Sequence, residues 1–494
     1  MLKKILVVLL AIGIIIVFAA CEKGNDGNSG GNTDKPDTGI TEVDNGNTET
    51  DNTDDEEIDY LSDLSKERYD GYNFRMLIRP QKTSDQYLEE DSTDKVESAT
   101  YRRNKLVEEM YGITISATES SSSDYETDAL NSILAGDDAY DVIFAHARAA
   151  FVYASNGAVY NIKDIDTIHL DKPWWSKNIQ EACTINGRLY VLDGDISKHR
   201  LFYSNCLMFN KRIFDDLGLD YPYDLVRDGD WTFDEFTYLV RKGGKDLDGD
   251  GVIGPENDQL GLYCRSYGLP TALIYTGGKK IYDIGDDGKL ELTLYSTKTA
   301  DMFDQFFLLC SNSSAYLQNS SSSFTDGYTL FIEGRAMFVD NNIGDVNGMR
   351  DMEDDFGIIP NPKFTDEDDY ITVSNGHMHL EVIPITVPDV NRTGAILEAL
   401  CAIGSRDVIP EYYNVALKRK YSRDDDSEEM LDIIKDSITY DIGYVCGSSF
   451  QSVGYDLSNS ATHDFSSYYA ERESSAIETL NSFNKNYGGF EDIE

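Results

Sequence analysis

Three short apolar strands alternate with two helices between residues 72 and 144, and this alternation constrains the fold more than any other part of the chain. In residues 72–78, Tyr72, Phe74, Met76 and Ile78 fall on one face of an extended segment. Residues 94–111 read as a helix with Leu106, Val107 and Met110 inward and Gly112 as its stop. Residues 113–115 form the second strand. Ser123 and Glu126 have capping-box spacing and open a second helix through Leu130, Ile133 and Leu134 to Gly136. Residues 140–144, YDVIF, are short, apolar and β-branched, as buried strands are. Strand, helix, strand, helix, strand predicts a parallel α/β layer.

The next stretch carries the densest signals. The strand at 140–144 runs into Ala145, His146, Ala147 and Arg148. In open α/β folds, ligands sit beyond strand ends of this kind. Trp174 and Trp175 stand outside any helical or alternating pattern and suggest a stacking surface. Asn186-Gly187 marks the tip of a hairpin. Residues 206–214, CLMFNKRIF, read as a strand turning into a helix.

These motifs together resemble the extracellular solute-binding proteins of bacterial ABC transporters, in the carbohydrate-binding branch that includes maltose-binding protein. The matching pieces are YDVIF, the G-x-x-Y-N-I segment after it, PWW, the NGRLY hairpin and MFNKRIF. WTFDEF, FIEGRAMF, DFGIIPNPK and PEYYNVALKRKYSRD continue the match. Their order and number carry the resemblance; no single motif would. It implies an α/β, two-lobe periplasmic-binding-protein-like type II fold, with a hinge and an interlobe ligand cleft. Residues 60–203 and 376–435 would form the first lobe, and 204–375 and 436–494 the second. The chain would be a monomer that captures a sugar and delivers it to the membrane subunits of a permease. By the same resemblance, the ligand-binding residues are His146, Arg148, Trp174 and Trp175 on the first lobe. Tyr203, Arg265, Tyr267 and Asp340 serve on the second, and Tyr444 closes the far end. Aromatic rings suit the CH faces of a sugar, and charged or amide groups suit its hydroxyls.

Residues 1–20 have Lys3 and Lys4 followed by an apolar run, the shape of a secretory signal. Phe18-Ala-Ala-Cys21 resembles the lipobox of bacterial lipoproteins, which implies lipidation of Cys21 and anchoring outside the cytoplasm on the cell membrane. Residues 21–59 form an acidic tether. They contain only Ile40, Val43 and Ile58 as large aliphatic residues before Tyr60 and cannot repay the entropy of ordering. The remaining stretch, about 435 residues, suits two lobes rather than one core. The formal net charge is −46. That argues against nucleic acid or anionic lipid surfaces, which require basic patches, and is compatible with a neutral ligand. Lys418, Arg419 and Lys420 are the one dense basic cluster of the folded part.

Beyond Cys21, six cysteines are widely spaced without a CxxC pair, which disfavours a structural zinc site. An exported protein can oxidise a pair, but spacing does not say which. Asp246, Asp248 and Asp250 stand at positions 1, 3 and 5 of a loop with Gly251 at position 6. Calcium loops have that spacing because the glycine permits the tight turn. Val252 would offer a carbonyl, and Asp258 stands one residue past the usual acidic position, which Asn257 occupies. The alternative is an acidic surface turn. His377 and His379 share a strand face, weak evidence for a metal and better read as a crossover strand with His377 near the cleft. Trp231 is expected to pack the start of a helix capped by Thr232, and residues 311–323 to form an exposed Ser/Asn-rich loop.

No G-x-S-x-G, H-E-x-x-H, P-loop or G-x-G-x-x-G is present. With 89 acidic residues, carboxylate pairs say nothing about glycosidase chemistry. A binding protein without cofactor, apart from a structural Ca2+, is therefore the reading. The rivals are a secreted carbohydrate-active enzyme and a surface sensor or adhesion protein.

Overall fold

The structure, a computed structural model, describes residues 59–79, 83–119, 124–323, 325–349, 352–374, 376, 378–413 and 425–490. The leader, Cys21, most of the tether, Ser123, His377 and the basic residues Lys418, Arg419 and Lys420 lie outside them.

The first layer runs β1 (Asn73–Ile78), α1 (Lys95–Tyr111), β2 (Thr114–Glu119), α2 (Tyr125–Ala135), β3 (Val142–His146) and α3 (Ala147–Ser155). β1 pairs in parallel with both β2 and β3, and Phe74, Met76 and Ile78 are buried on it as the alternation requires. Asp94 starts α1 by accepting the N–H groups of Val96 and Glu97, a side-chain cap for otherwise unpaired donors. Gly112 ends it with a φ of 69°. The inward face differs from expectation. Val107 is buried, but Leu106 and Met110 are only partly so, because Arg103 and Asn104 occupy that face. Arg103 donates to the carbonyls of Gln86 and Ile196, and Asn104 to that of Gln86. Buried polar groups persist where every donor finds an acceptor. In α2 the N-cap is Asp124, without a side-chain capping bond. Glu126 turns instead to β3 and accepts the His146 N–H at 2.6 Å.

The chain then passes β4 (Asn205–Asn210), β5 (Leu260–Arg265), a hairpin of β6 (Tyr282–Ile284) and β7 (Leu290–Leu292), β8 (Ala315–Gln318), β9 (Ala336–Asn342) and β10 (Phe356–Ile359). Five of these form the second sheet in the order β10-β4-β9-β5-β8. β4 is antiparallel to its neighbours, whereas β5 is parallel to β8 and β9. β8 lies within the stretch expected as an exposed loop. Pairing its backbone with β5, from Leu262↔Ala315 to Arg265↔Gln318, outweighs the polar composition around it. Trp231 is fully buried and donates to the Pro360 carbonyl at 3.0 Å, and Thr232 caps the helix Phe233–Gly243.

β11 (Thr372–Val373), β12 (His379–Val382) and β13 (Ile438–Thr439) complete the strands. β12 returns to the first sheet, antiparallel to β3, with His379 opposite His146. β11 pairs with β13, and Ser204 bridges to Ser374, so the crossing segments lie side by side. The helix Asp425–Asp436, expected with the first lobe, packs instead on β10 and the helix Tyr223–Asp228. Leu431 and Ile434 share a core there with Met208 and Ile358, and Ser427 meets the Tyr223 hydroxyl at 2.8 Å. The terminal helix Phe465–Asn486 packs on both α3 and β7.

Candidate functional site

The two sheets bring strand ends to the crossovers. β3 ends at His146 where β12 begins. On the second sheet, β5 ends at Arg265, β9 ends at Asn342, and β4 begins at Asn205 immediately after the crossover residue Ser204. This edge is where an open α/β layer receives ligands.

On the first-lobe side, His146 is half-buried and its Nδ1 accepts the Arg148 N–H at 3.3 Å. Arg148 is exposed at the start of α3. Burial pushes the Tyr444 pKa up, and the charge of Arg148 and the backbone N–H of Gly376 pull against that. His146, Arg148 and Tyr444 are thus brought into one neighbourhood at the crossover.

On the second-lobe side, Asp340 is buried on β9 and organises the end of β5. Its Oδ1 accepts the Arg265 N–H and its Oδ2 the Leu269 N–H, each at 2.9 Å. The Arg265 guanidinium stands 3.8 Å from Asp340 and 4.0 Å from Asp345. Burial pushes the Asp340 carboxyl up, against the pull of Arg265. Burial also works against the Arg265 charge, but Asp340, Tyr267 and Asp345 outweigh it and its pKa is raised. Arg265 lies over the Tyr267 ring at 5.1 Å. That ring is 53% exposed, so its face is available to a ligand. Tyr203 is half-buried and meets the His199 and Phe202 rings edge-on.

The structure corrects the reading of the paired indoles. Trp174 and Trp175 are 1% and 3% exposed and form no open stacking surface. Their indole N–H groups donate to the two oxygens of Glu398, at 3.1 and 2.8 Å. Burial raises the Glu398 pKa, and these donors, with the His169 N–H, hold it back. A Cβ at Gly194 would fall 2.7 Å from the Trp175 ring, so the ring packs on bare backbone. An aromatic pair off the helical period is core here because an acid on a distant helix satisfies its donors.

Sequence reasoning missed other polar residues at these strand ends. Asn205 donates to Asn342 at 3.2 Å, and Asn342 donates to Asp345 through its backbone and side chain. Their signal is a polar residue at the rim of an apolar strand. Beneath them is a buried charged cluster at the crossover. Arg200 binds Asp193 and Asp195 at 2.8 and 3.1 Å, while its carbonyl accepts the Ser204 and Ser374 hydroxyls. Burial raises both aspartates and pushes Glu381 well above the usual carboxylate range. The His379 ring meets that of His199 at a tilt, centroids 3.8 Å apart, and its Nε2 meets Gln86 and Ser197.

Apart from the cleft, Asp246, Asp248 and Asp250 bring carboxylate oxygens within 4.8 Å of one another. Gly249 and Gly251 have φ values of 80° and 87°, the left-handed turns such a loop needs. The donor set is all oxygen and fits a hard cation. Val252 is exposed on the same loop. Asp258 is otherwise engaged, because its oxygens accept the Leu247 and Gly254 N–H groups at 2.8 and 2.9 Å.

Residues 94–389 match the family described as bacterial extracellular solute-binding protein. A search of curated proteins finds no match. Among solved structures, an ABC transporter solute-binding protein from Thermotoga lettingae bound with α-D-tagatose aligns over 84% of this chain and 100% of its own, at 14% identity and a TM-score of 0.51. The GacH receptor of Streptomyces glaucescens, described with acarbose, covers 85% and 100% at 11% identity and 0.52. UgpB from Mycobacterium tuberculosis in complex with glycerophosphocholine covers 83% and 98% at 14% identity and 0.54. At these identities the likeness is one of fold. No described helix is long and apolar enough to cross a membrane.

Proposed function

The chain belongs to the bacterial extracellular solute-binding proteins, and from that premise we propose that it captures a sugar or oligosaccharide between its lobes and hands it to an ABC permease. The observation that carries the reading is the Arg265–Tyr267–Asp340 arrangement at the end of β5. An exposed ring stands beside a cation held by a buried acid. A ring face suits the CH face of a sugar, and fixed charged donors and acceptors suit its hydroxyls. His146, Arg148 and Tyr444 supply the opposing wall, and Tyr203 and Asn205 the floor. Trp174 and Trp175 support the first wall from behind. Closure about the paired crossover segments would then exclude water, as hinge motions do.

The protein acts as a monomeric binder and not as an enzyme. Cys21 anchors it to the membrane outside the cytoplasm, and the acidic tether holds the folded body clear of the lipid. Asp246, Asp248 and Asp250, with the Val252 carbonyl, would hold a structural Ca2+.

Isothermal titration with oligosaccharides, combined with analysis of the recovered sugar, separates binder from enzyme. The expected result is saturable binding with the sugar returned intact; a shortened product would overturn the reading. Cys21→Ser should move the protein from the membrane fraction to the medium, and unchanged partitioning would refute the anchor.

A further inference from the structure

Two buried histidines meet where the first sheet joins the crossover. His379 begins β12, opposite His146 of β3, and His199 opens the helix His199–Phe202. Their ring centroids are 3.8 Å apart and the rings are tilted by 34°. The Phe144 ring stands edge-on to His379 at 5.3 Å, and the Tyr203 ring stands edge-on to His199 at the same distance. A continuous file of rings therefore runs from the core of the first sheet to Tyr203 at the crossover.

The partners of the two imidazoles differ in kind. His199 Nε2 lies 2.5 Å from Asp85 Oδ2, and Lys198 holds the other oxygen at 2.9 Å. Burial works against the Asp85 charge, but His199 and Lys198 outweigh it and hold the carboxyl well below its usual range. A carboxylate so close accepts the Nε2 proton and favours the charged imidazole. His379 Nε2 instead meets the amide nitrogen of Gln86 at 3.0 Å and Ser197 Oγ at 3.2 Å. An amide nitrogen only donates, so this Nε2 presents its lone pair and the ring is neutral. Gln86 is held in place, because its carbonyl accepts from Arg103 and Asn104. Its side-chain oxygen is buried without a hydrogen-bond partner. The other titratable groups about the pair are His146 across the β3–β12 ladder and Glu381, two residues along β12. Lys198 also stands 5.6 Å over the Tyr412 ring.

We propose that this pair is a proton-sensitive clasp: His199 is charged, His379 is neutral, and a second proton loosens the support of Tyr203. A proton on His379 Nε2 would face the amide hydrogens of Gln86. It would also place a second cation 3.8 Å from the first, and like charges so close disfavour each other. The Gln86 amide must then turn its oxygen inward, or the two rings must part. His199 is a positioning residue for Tyr203, so either movement reaches that ring. Tyr203 belongs to the proposed ligand floor, and the bearing of the clasp on solute capture rests on that reading. Acid would weaken the grip of the cleft from behind, without titrating any group that touches the solute.

The test follows the imidazole nitrogens of the purified, isotope-labelled chain by NMR. Near neutral pH, His199 should carry a proton on both nitrogens and His379 on one. Each set of signals is assigned by its loss in His199→Gln or His379→Phe. Lowering the pH towards about 5 should protonate His379. The Tyr203 ring signal, assigned by its loss in Tyr203→Phe, should shift with the same midpoint. Melting temperature gives a second readout. Unfolded histidines titrate near pH 6.5, so a folded chain that resists this proton binds fewer protons than the unfolded one. The stability due to His379 is then present above about pH 7 and lost as pH falls towards about 5. Wild type should lose several degrees relative to His379→Phe across that range. Gln86→Glu, which offers a charged His379 an acceptor, should abolish the loss. Two charged or two neutral imidazoles near neutral pH overturn the proposal. So does a Tyr203 signal that ignores the His379 titration, or an acid loss that persists in Gln86→Glu. The wild-type spectra decide the matter even where a variant fails to fold. None of these readouts needs a sugar, so failure here is distinguishable from failure of the solute assignment.

Discussion

Asp340 holds Arg265 from both ends: its Oδ1 accepts the arginine's backbone N–H at 2.9 Å and faces its guanidinium at 3.8 Å. The aspartate therefore sets where the charge stands and where the next turn begins, since its other oxygen takes the Leu269 N–H. Asp340→Ala leaves two backbone donors without their acceptor and takes the nearer of two carboxylates from the Arg265 guanidinium. The expected cost is about 1–3 kcal/mol of stability, with weaker ligand binding. Asp340→Asn, which keeps one acceptor, should lose less of both. Unfolding in denaturant alongside titration checks this; an unaltered melting midpoint in Asp340→Ala would remove Asp340 from this role.

Tyr267 and Trp175 should separate cleanly. Tyr267 is exposed and Trp175 is core. Tyr267→Ala should weaken sugar binding by about 1–3 kcal/mol, as loss of an aromatic anchor does, with little change in melting. Trp175→Ala should destabilise the fold by about 3–5 kcal/mol and leave Glu398 Oε2 with the His169 N–H as its remaining donor. The reverse pattern, stable Trp175→Ala with lost binding, would restore the indole to the ligand surface.

That contrast locates what the sequence made legible. The βαβαβ layer was readable because period and punctuation agree locally: Asp94 caps, Gly112 stops, and Asn186-Gly187 turns with φ of 49° and 73°. The paired indoles were misread because burial of an indole depends on a distant acceptor, and Glu398 lies more than 220 residues away. Arg103 on the inner face of α1 was invisible for the same reason, since its acceptors are backbone carbonyls of other segments. β8 was hidden in serines because an edge strand draws on its neighbour's backbone. The Arg265–Asp340 pairing joins strands adjacent in space and 75 positions apart, beyond any local pattern.

The loop at Asp246 predicts a cation response. If Ca2+ binds there, EDTA should lower the melting temperature and added Ca2+ restore it, by mass action on the folded state. The Asp248→Ala, Asp250→Ala double variant should not respond. Identical curves with and without chelator in the wild type would reduce the loop to an acidic turn.

Asp441 predicts a pH dependence. It is buried and accepts the Ile281 and Gly443 N–H groups at 2.6 and 2.7 Å, yet burial raises its pKa to about 6. An aspartate whose folded pKa exceeds its unfolded value of about 3.9 binds more protons when folded. Its contribution is therefore fully present below about pH 4 and lost as pH rises through about 6. Asp441→Asn cannot titrate there. The melting temperature of wild type relative to Asp441→Asn should fall between about pH 4 and pH 7; a constant difference across that window would contradict the raised pKa.

The central claim is that the cleft takes a sugar, and a thermal-shift screen of the mature protein against monosaccharides, oligosaccharides, peptides and glycerophosphodiesters tests it most directly. The account predicts that at least one saccharide raises the melting temperature in a saturable way, and that Tyr267→Ala blunts the shift. If no saccharide moves the melting point while a peptide or a glycerophosphodiester does, the sugar assignment is wrong and only the solute-binding fold remains.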